Sequence, residues 1–168
     1  MRAARRAAYF AVLTAAAAVL SAVESLVPVP VPAPGVKLGL ANSVTLFVLY
    51  KEKKLPGALG VTAARCAIAA LAAGSFSSLL FSLSGGLFSC VIMWLLLHYN
   101  FALSAVGVSA AGAVSHNAAQ LAAASLFARD PAILSYAPVL TLFGTAAGCA
   151  TGYIYTRIDI IMKTNRNF

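Results

Sequence analysis

Residues 55–97 read LPGALGVTAARCAIAALAAGSFSSLLFSLSGGLFSCVIMWLLL, an apolar run whose single ionised group is Arg65. As one helix rising 1.5 Å per residue, this run would be about twice as long as a bilayer core of about 30 Å is thick. It must therefore turn back on itself. The small, turn-prone Gly74-Ser75-Phe76-Ser77-Ser78 marks the place and divides the run into two spans, 56–74 and 79–97. Lipid is the required solvent, because a soluble chain of 168 residues could not hide a composition that is 61% hydrophobic and 10% charged.

On either side lie four more charge-poor stretches, 7–27 (where Glu24 is the only ionised group), 38–50, 101–127 and 133–157. The expected fold is thus an all-α integral membrane protein with six transmembrane helices. The cations set its orientation. Nine of the 12 Lys and Arg fall in three groups: Arg2, Arg5 and Arg6; Lys51, Lys53 and Lys54; Arg157, Lys163 and Arg166. Lys37 and Arg129 fall in alternate loops, so the positive-inside rule predicts cytoplasmic termini and a cytoplasmic 51–54 loop. The net charge of +8 reads as topology and not as nucleic-acid binding. Arg2, Arg5 and Arg6 before an apolar run imitate a secretory signal, but the run is longer than a signal core and its glutamate lies at the far end. A retained first span is expected. The chain reads as a single membrane domain over 1–168, multi-pass in the cytoplasmic (inner) membrane, with membrane lipid as its surroundings.

The second span is short. Thirteen residues from Leu38 to Tyr50 give a helix of about 20 Å. Before it comes Pro28-Val29-Pro30-Val31-Pro32-Ala33-Pro34-Gly35-Val36-Lys37, where alternate prolines make a stiff, extended connector. The helix is expected to start at Leu38, below the outer surface and facing a cavity. Its free amides and positive dipole end suit an anionic group, with Lys37 adding to the field and residues 28–36 acting as a lid.

Given this topology, Glu24, Lys37, Asn42, His116, Asn117 and Gln120 all lie in the outer half, and Arg65 lies near mid-span. His116 and Gln120 share a helical face at i, i+4, and Asn117 reaches Gln120 at i, i+3. Such groups do not face lipid. They form either an interhelical hydrogen-bond network or the wall of a ligand site, and the second is the expectation. Glu24 with Lys37 is either a latch or a ligand contact. Arg65 pairs with backbone carbonyls, a partner or a ligand. His98, at a cytoplasmic helix end, is expected to be solvated. Gly144, Gly148 and Gly152 form a GxxxGxxxG stripe predicted to pack inside the bundle. Ala11, Ala15, Ala18 and Ala22 on the first span serve either internal packing or contact with another membrane subunit. Cys66, Cys90 and Cys149 lack CxxC spacing and read as core residues.

Catalytic signatures are missing. The chain has no GxxxxGK[ST] loop, and its four carboxylates, Glu24, Glu52, Asp130 and Asp159, stand apart. That pattern provides no aspartate-rich magnesium site for diphosphate chemistry. A non-enzymatic protein without metal or cofactor is expected.

Pro34-Gly35-Val36-Lys37-Leu38-Gly39-Leu40-Ala41-Asn42, with Glu24 upstream and Ser115-His116-Asn117-x-x-Gln120 downstream, resembles the heptaprenyl diphosphate synthase component I family, also called the Gx transporter family. That family is similar to the substrate-binding (S) components of energy-coupling factor transporters. The resemblance implies a six-helix S-component-like bundle whose outward pocket is capped by the loop between helices one and two. It also implies that Ala11, Ala15 and Ala18 contact a transmembrane coupling subunit that works with ATPases. The function so implied is binding and transport of a small, anionic metabolite, a flavin nucleotide or a prenyl or quinone precursor. Glu24, Lys37, Asn42, Arg65, His116, Asn117 and Gln120 would line the ligand site. The alternative is a non-catalytic membrane subunit of a prenyl-diphosphate or quinone pathway enzyme, or of a membrane redox complex.

Overall fold

A computed structural model describes residues 2–26, 40–99 and 101–165 of the chain. Among them are six α-helices: α1 (Arg2–Ser25), α2 (Asn42–Glu52), α3 (Leu55–Ala73), α4 (Phe76–His98), α5 (Ala105–Ala128) and α6 (Ala137–Asn165), with a short 3-10 segment at Pro131–Tyr136 before α6. No strand is present among the described residues.

Local chemistry sets the boundaries. Gly74 closes α3 in the left-handed conformation, φ +60°, which glycine adopts without strain. The next residue, Ser75, caps α4 by accepting the Ser78 amide at 3.3 Å. The long apolar run therefore breaks where its small residues predict. Ser104 opens α5 by accepting the Gly107 amide at 3.2 Å, and Asp130 opens the 3-10 segment by accepting the Ala132 amide at 2.9 Å.

Four helical stretches are long and apolar enough to cross a bilayer: Ala3–Glu24, Leu55–Ala73, Phe76–His98 and Pro131–Thr164. α5 has the length for a crossing, but His116, Asn117 and Gln120 dilute its apolarity. α2 has 11 residues, about 16 Å of helix. It begins at Asn42 and not at the expected Leu38, which lies outside the described residues together with Lys37 and the 28–36 segment. α6 continues eight residues beyond the expected end at 157.

The shortest helix is the centre of the molecule. α2 packs against α1, α3, α4, α5 and α6, and buries Asn42, Val44, Thr45, Leu46, Val48 and Leu49. Around it α3, α4, α5 and α6 pack in chain order, and α1 lies on α3. The α5–α6 seam is the closest. A methyl group built on Gly148 would sit 2.7 Å from the Ala110 Cα and 2.9 Å from the Ser109 carbonyl oxygen; one on Gly152 would sit 2.5 Å from the Val106 Cα. The glycine stripe is thus an internal backbone-to-backbone contact, as its spacing predicts.

One end of the bundle gathers charge. Arg6 of α1 pairs with Glu52 of α2 at 3.5 Å, and Asp159 of α6 takes Lys51 at 3.4 Å and Lys163 at 2.6 Å. At this same end a cavity of about 440 Å³ lies between Leu49 and Tyr50 of α2, Lys53 just after it, and Trp94, Leu97 and His98 of α4. His98 is exposed and stacks on Trp94, ring centroids 4.7 Å apart. Cys66 and Cys90 are buried, Cys149 is half-buried, and none of the three forms a disulfide.

Candidate functional site

The face of α4 that meets α2, α3 and α5 is built from small and polar residues. Ser78, Ser82, Gly85, Gly86 and Ser89 recur at helical spacing and are all buried. The two glycines bring different neighbours close. A methyl on Gly86 would lie 2.8 Å from Thr62 Cγ2 and 3.1 Å from Arg65 Nη2, whereas one on Gly85 would lie 2.7 Å from Gln120 Cγ and 2.9 Å from the His116 carbonyl oxygen. Where α4 lacks side chains, the polar groups of α3 and α5 fill the space.

Arg65 is the centre of this arrangement. It is 3% exposed in the middle of α3. Its Nη1 donates to Ser21 Oγ of α1 at 3.2 Å and its Nη2 donates to Asn42 Oδ1 of α2 at 3.1 Å. Asn42 in turn donates from Nδ2 to Ser89 Oγ of α4 at 3.0 Å. One turn along, Thr45 Oγ1 and Thr62 Oγ1 share a hydrogen bond of 3.0 Å. Four helices thus meet on one guanidinium. Its acceptors are neutral, no carboxylate pairs with it among the described residues, and the buried Nε has no hydrogen-bond partner. A permanent cation so placed is expensive in a bilayer.

Glu24, 2% exposed, lies one turn after Ser21 on α1. Its Oε1 accepts the Leu40 amide at 3.2 Å, just ahead of α2. The residue before α2 proper, Ala41, supplies no side-chain cap. The anionic group at the start of α2 is therefore the chain's own carboxylate, set against the positive end of the helix dipole.

His116 and Gln120 are buried together on the face of α5 that meets Gly85 of α4. Asn117, next in sequence to His116, is turned towards α6. Its Nδ2 donates to the Leu140 carbonyl at 2.7 Å and lies against Gly144. Of the expected site residues, then, Asn42 and Arg65 are in direct contact, His116 and Gln120 form a second pair across the adjacent glycine, Glu24 holds the entry to α2, and Asn117 joins the α5–α6 seam. Lys37 is outside the described residues. The two cavities described, one at the charged end and one between α1, α2 and α6, are lined by none of these seven.

Sequence reasoning passed over the hydroxyls. Ser21, Thr45, Thr62, Ser82 and Ser89 are all buried in this core. Ser78-x-x-x-Ser82-x-x-Gly85-Gly86-x-x-Ser89 was readable as one helical face, but serine is common enough in membrane helices for the signal to be weak alone. On α1, Ala11, Ala15 and Ala22 are exposed and Ala18 is half-buried.

Comparison with curated proteins and with solved structures finds no match. A family comparison does: residues 13–158, from within α1 to within α6, match the family described as heptaprenyl diphosphate synthase component I. The matched segment holds all six helices at least in part and every residue of the Arg65 core, and the chain belongs to that family.

Proposed function

We propose that the chain is a non-catalytic, six-span membrane subunit that binds a small anionic metabolite inside its bundle from the outer side and works with an energising partner. Arg65 carries this reading. A buried guanidinium with neutral acceptors and an Nε–H left over has charge and a donor to offer an anion. Asn42, His116 and Gln120 would read the polar groups of the ligand, Glu24 would hold the neck of α2, and Lys37 with residues 28–36 would form the lid. The orientation, with both termini in the cytoplasm, is supported by the ion pairs that tie α1, α2 and α6 at one end. The exposed Ala11 and Ala15 suit contact with a transmembrane coupling subunit, an arrangement like that of S components.

The test is mass spectrometry of small molecules released from protein purified in mild detergent. A bound anionic molecule is expected in the wild type and its loss in Arg65→Met, with a weaker signal when His116 and Gln120 are both alanine. Full retention of the molecule in these variants refutes the reading.

The family description favours a second reading, a membrane subunit of a heptaprenyl diphosphate synthase system with no transport role. Co-purification separates the two. An ATPase pair with a coupling subunit supports the first, and a soluble prenyl synthase supports the second.

A further inference from the structure

Arg65 uses its donors unevenly. Nη1 goes to Ser21 and Nη2 to Asn42 Oδ1, while the buried Nε has no hydrogen-bond partner among the described residues. Nε and Nη2 share one edge of the guanidinium, and that edge takes a two-oxygen anion through parallel N–H bonds. Asn42 fills half of it. A carboxamide has one acceptor oxygen and one donor nitrogen, and Asn42 turns the nitrogen to Ser89 Oγ at 3.0 Å. What the edge lacks is a second oxygen. Another buried donor is also left over: Ser82 Oγ, on the same face of α4 one turn before Gly86. With Asn42 in place the site is shut, and neither described cavity is lined by Arg65 or Asn42.

We propose that the anion bound at Arg65 is a monocarboxylate, which displaces the Asn42 carboxamide and takes Nε and Nη2 together. The inference rests on the first reading above, a binding subunit for an anionic metabolite, and names the class of that anion. Asn42 is then a placeholder for the ligand, and Ser82 Oγ takes the next polar atom. Two features favour a carboxylate over a phosphate. The place to be filled is that of a planar group against the α4 backbone, where a methyl built on Gly86 comes within 3.1 Å of Nη2. A carboxylate matches that plane and a tetrahedral phosphate does not. Charge makes the same choice. No other Lys or Arg is buried among the described residues, so one negative charge is balanced in this core and a phosphate dianion or a diphosphate is not.

The experiment follows the Arg65 Nε–H resonance of the whole chain, labelled at arginine, in phosphatidylcholine nanodiscs at neutral pH. Arg65→Met assigns the resonance. The probe is sodium acetate and the comparison is inorganic phosphate. Acetate is expected to shift the resonance saturably and phosphate to leave it in place. Asn42→Asp supplies the second oxygen from within the chain. It is expected to put the resonance at its acetate-bound position without acetate and to abolish the response to acetate. Asn42→Ala removes the placeholder and is expected to bind acetate about tenfold more tightly, as loss of a competing hydrogen bond to a charged donor implies. That variant decides the matter should Asn42→Asp fail to fold. No saturable shift with acetate, an equal response to phosphate, an acetate response retained in Asn42→Asp, or binding no tighter in Asn42→Ala overturns the proposal. The wider reading is judged by the molecule released from purified protein. An Arg65-dependent anion that is not a carboxylate leaves that reading standing and refutes this one, whereas no Arg65-dependent anion refutes that reading whatever acetate does.

Discussion

Arg65 shows how one side chain can be costly and retained. Its hydrogen bonds to Ser21 and Asn42, made by a charged donor, are each worth about 1.5–3 kcal/mol in typical cases. Against them stands the burial of a full charge with no carboxylate in contact among the described residues. Arg65→Met, which fills the same volume without charge, is therefore expected to unfold at or above the wild-type temperature in detergent while losing the anionic ligand. A lower melting temperature with ligand retained would make Arg65 a structural strut. Glu24→Gln keeps the acceptor for the Leu40 amide and removes the charge from the start of α2. A loss of about 1 kcal/mol is expected, read as a lower melting temperature. Both residues were legible in the sequence, because an ionised group in an apolar span cannot be incidental. The partition of His116 from Asn117 was not. Adjacent positions on a helix point about 100° apart, and only the positions of α4 and α6 decide which neighbour each one meets.

The helices differ in how clearly the sequence marks their ends. Gly74-Ser75 is a C-cap followed by an N-cap, and the α3–α4 break is where it was expected. The start of α2 was placed four residues early because Leu38–Ala41 is apolar and small, and hydropathy has no boundary signal there. The α5–α6 seam gives a paired test. Gly148→Ala drives a methyl into the Ala110 and Ser109 backbone, which cannot swing aside, and is expected to cost about 1–3 kcal/mol. Gly60→Ala, with nothing within 4 Å of the new methyl, is expected to be neutral or to stabilise by up to about 1 kcal/mol through helix propensity. Thermal unfolding of the two variants side by side checks both signs. Equal melting temperatures would mean that the seam yields.

For the molecule as a whole, the cation pattern was the most readable feature. The pairs Arg6–Glu52 and Lys51–Asp159 now join elements far apart in the chain at one end. Single cysteines replacing Lys54 and Arg129 in sealed vesicles should react with an impermeant thiol reagent from opposite sides, with Lys54→Cys labelled only from the cytoplasmic face. Labelling of both from one side would refute six crossings. The charged end is expected to add little to stability. Exposed ion pairs contribute little, so Asp159→Asn is expected to lower stability by no more than about 1 kcal/mol.

The central position of α2 constrains how the protein is made. The ribosome delivers this helix before α3 to α6, yet those are the elements that shelter Asn42 and Thr45 from lipid. Eleven residues are too few to be left in the bilayer by the translocon as a stable insertion unit. A chain so built is expected to seat α2 only once its later neighbours are present, so that its middle settles last.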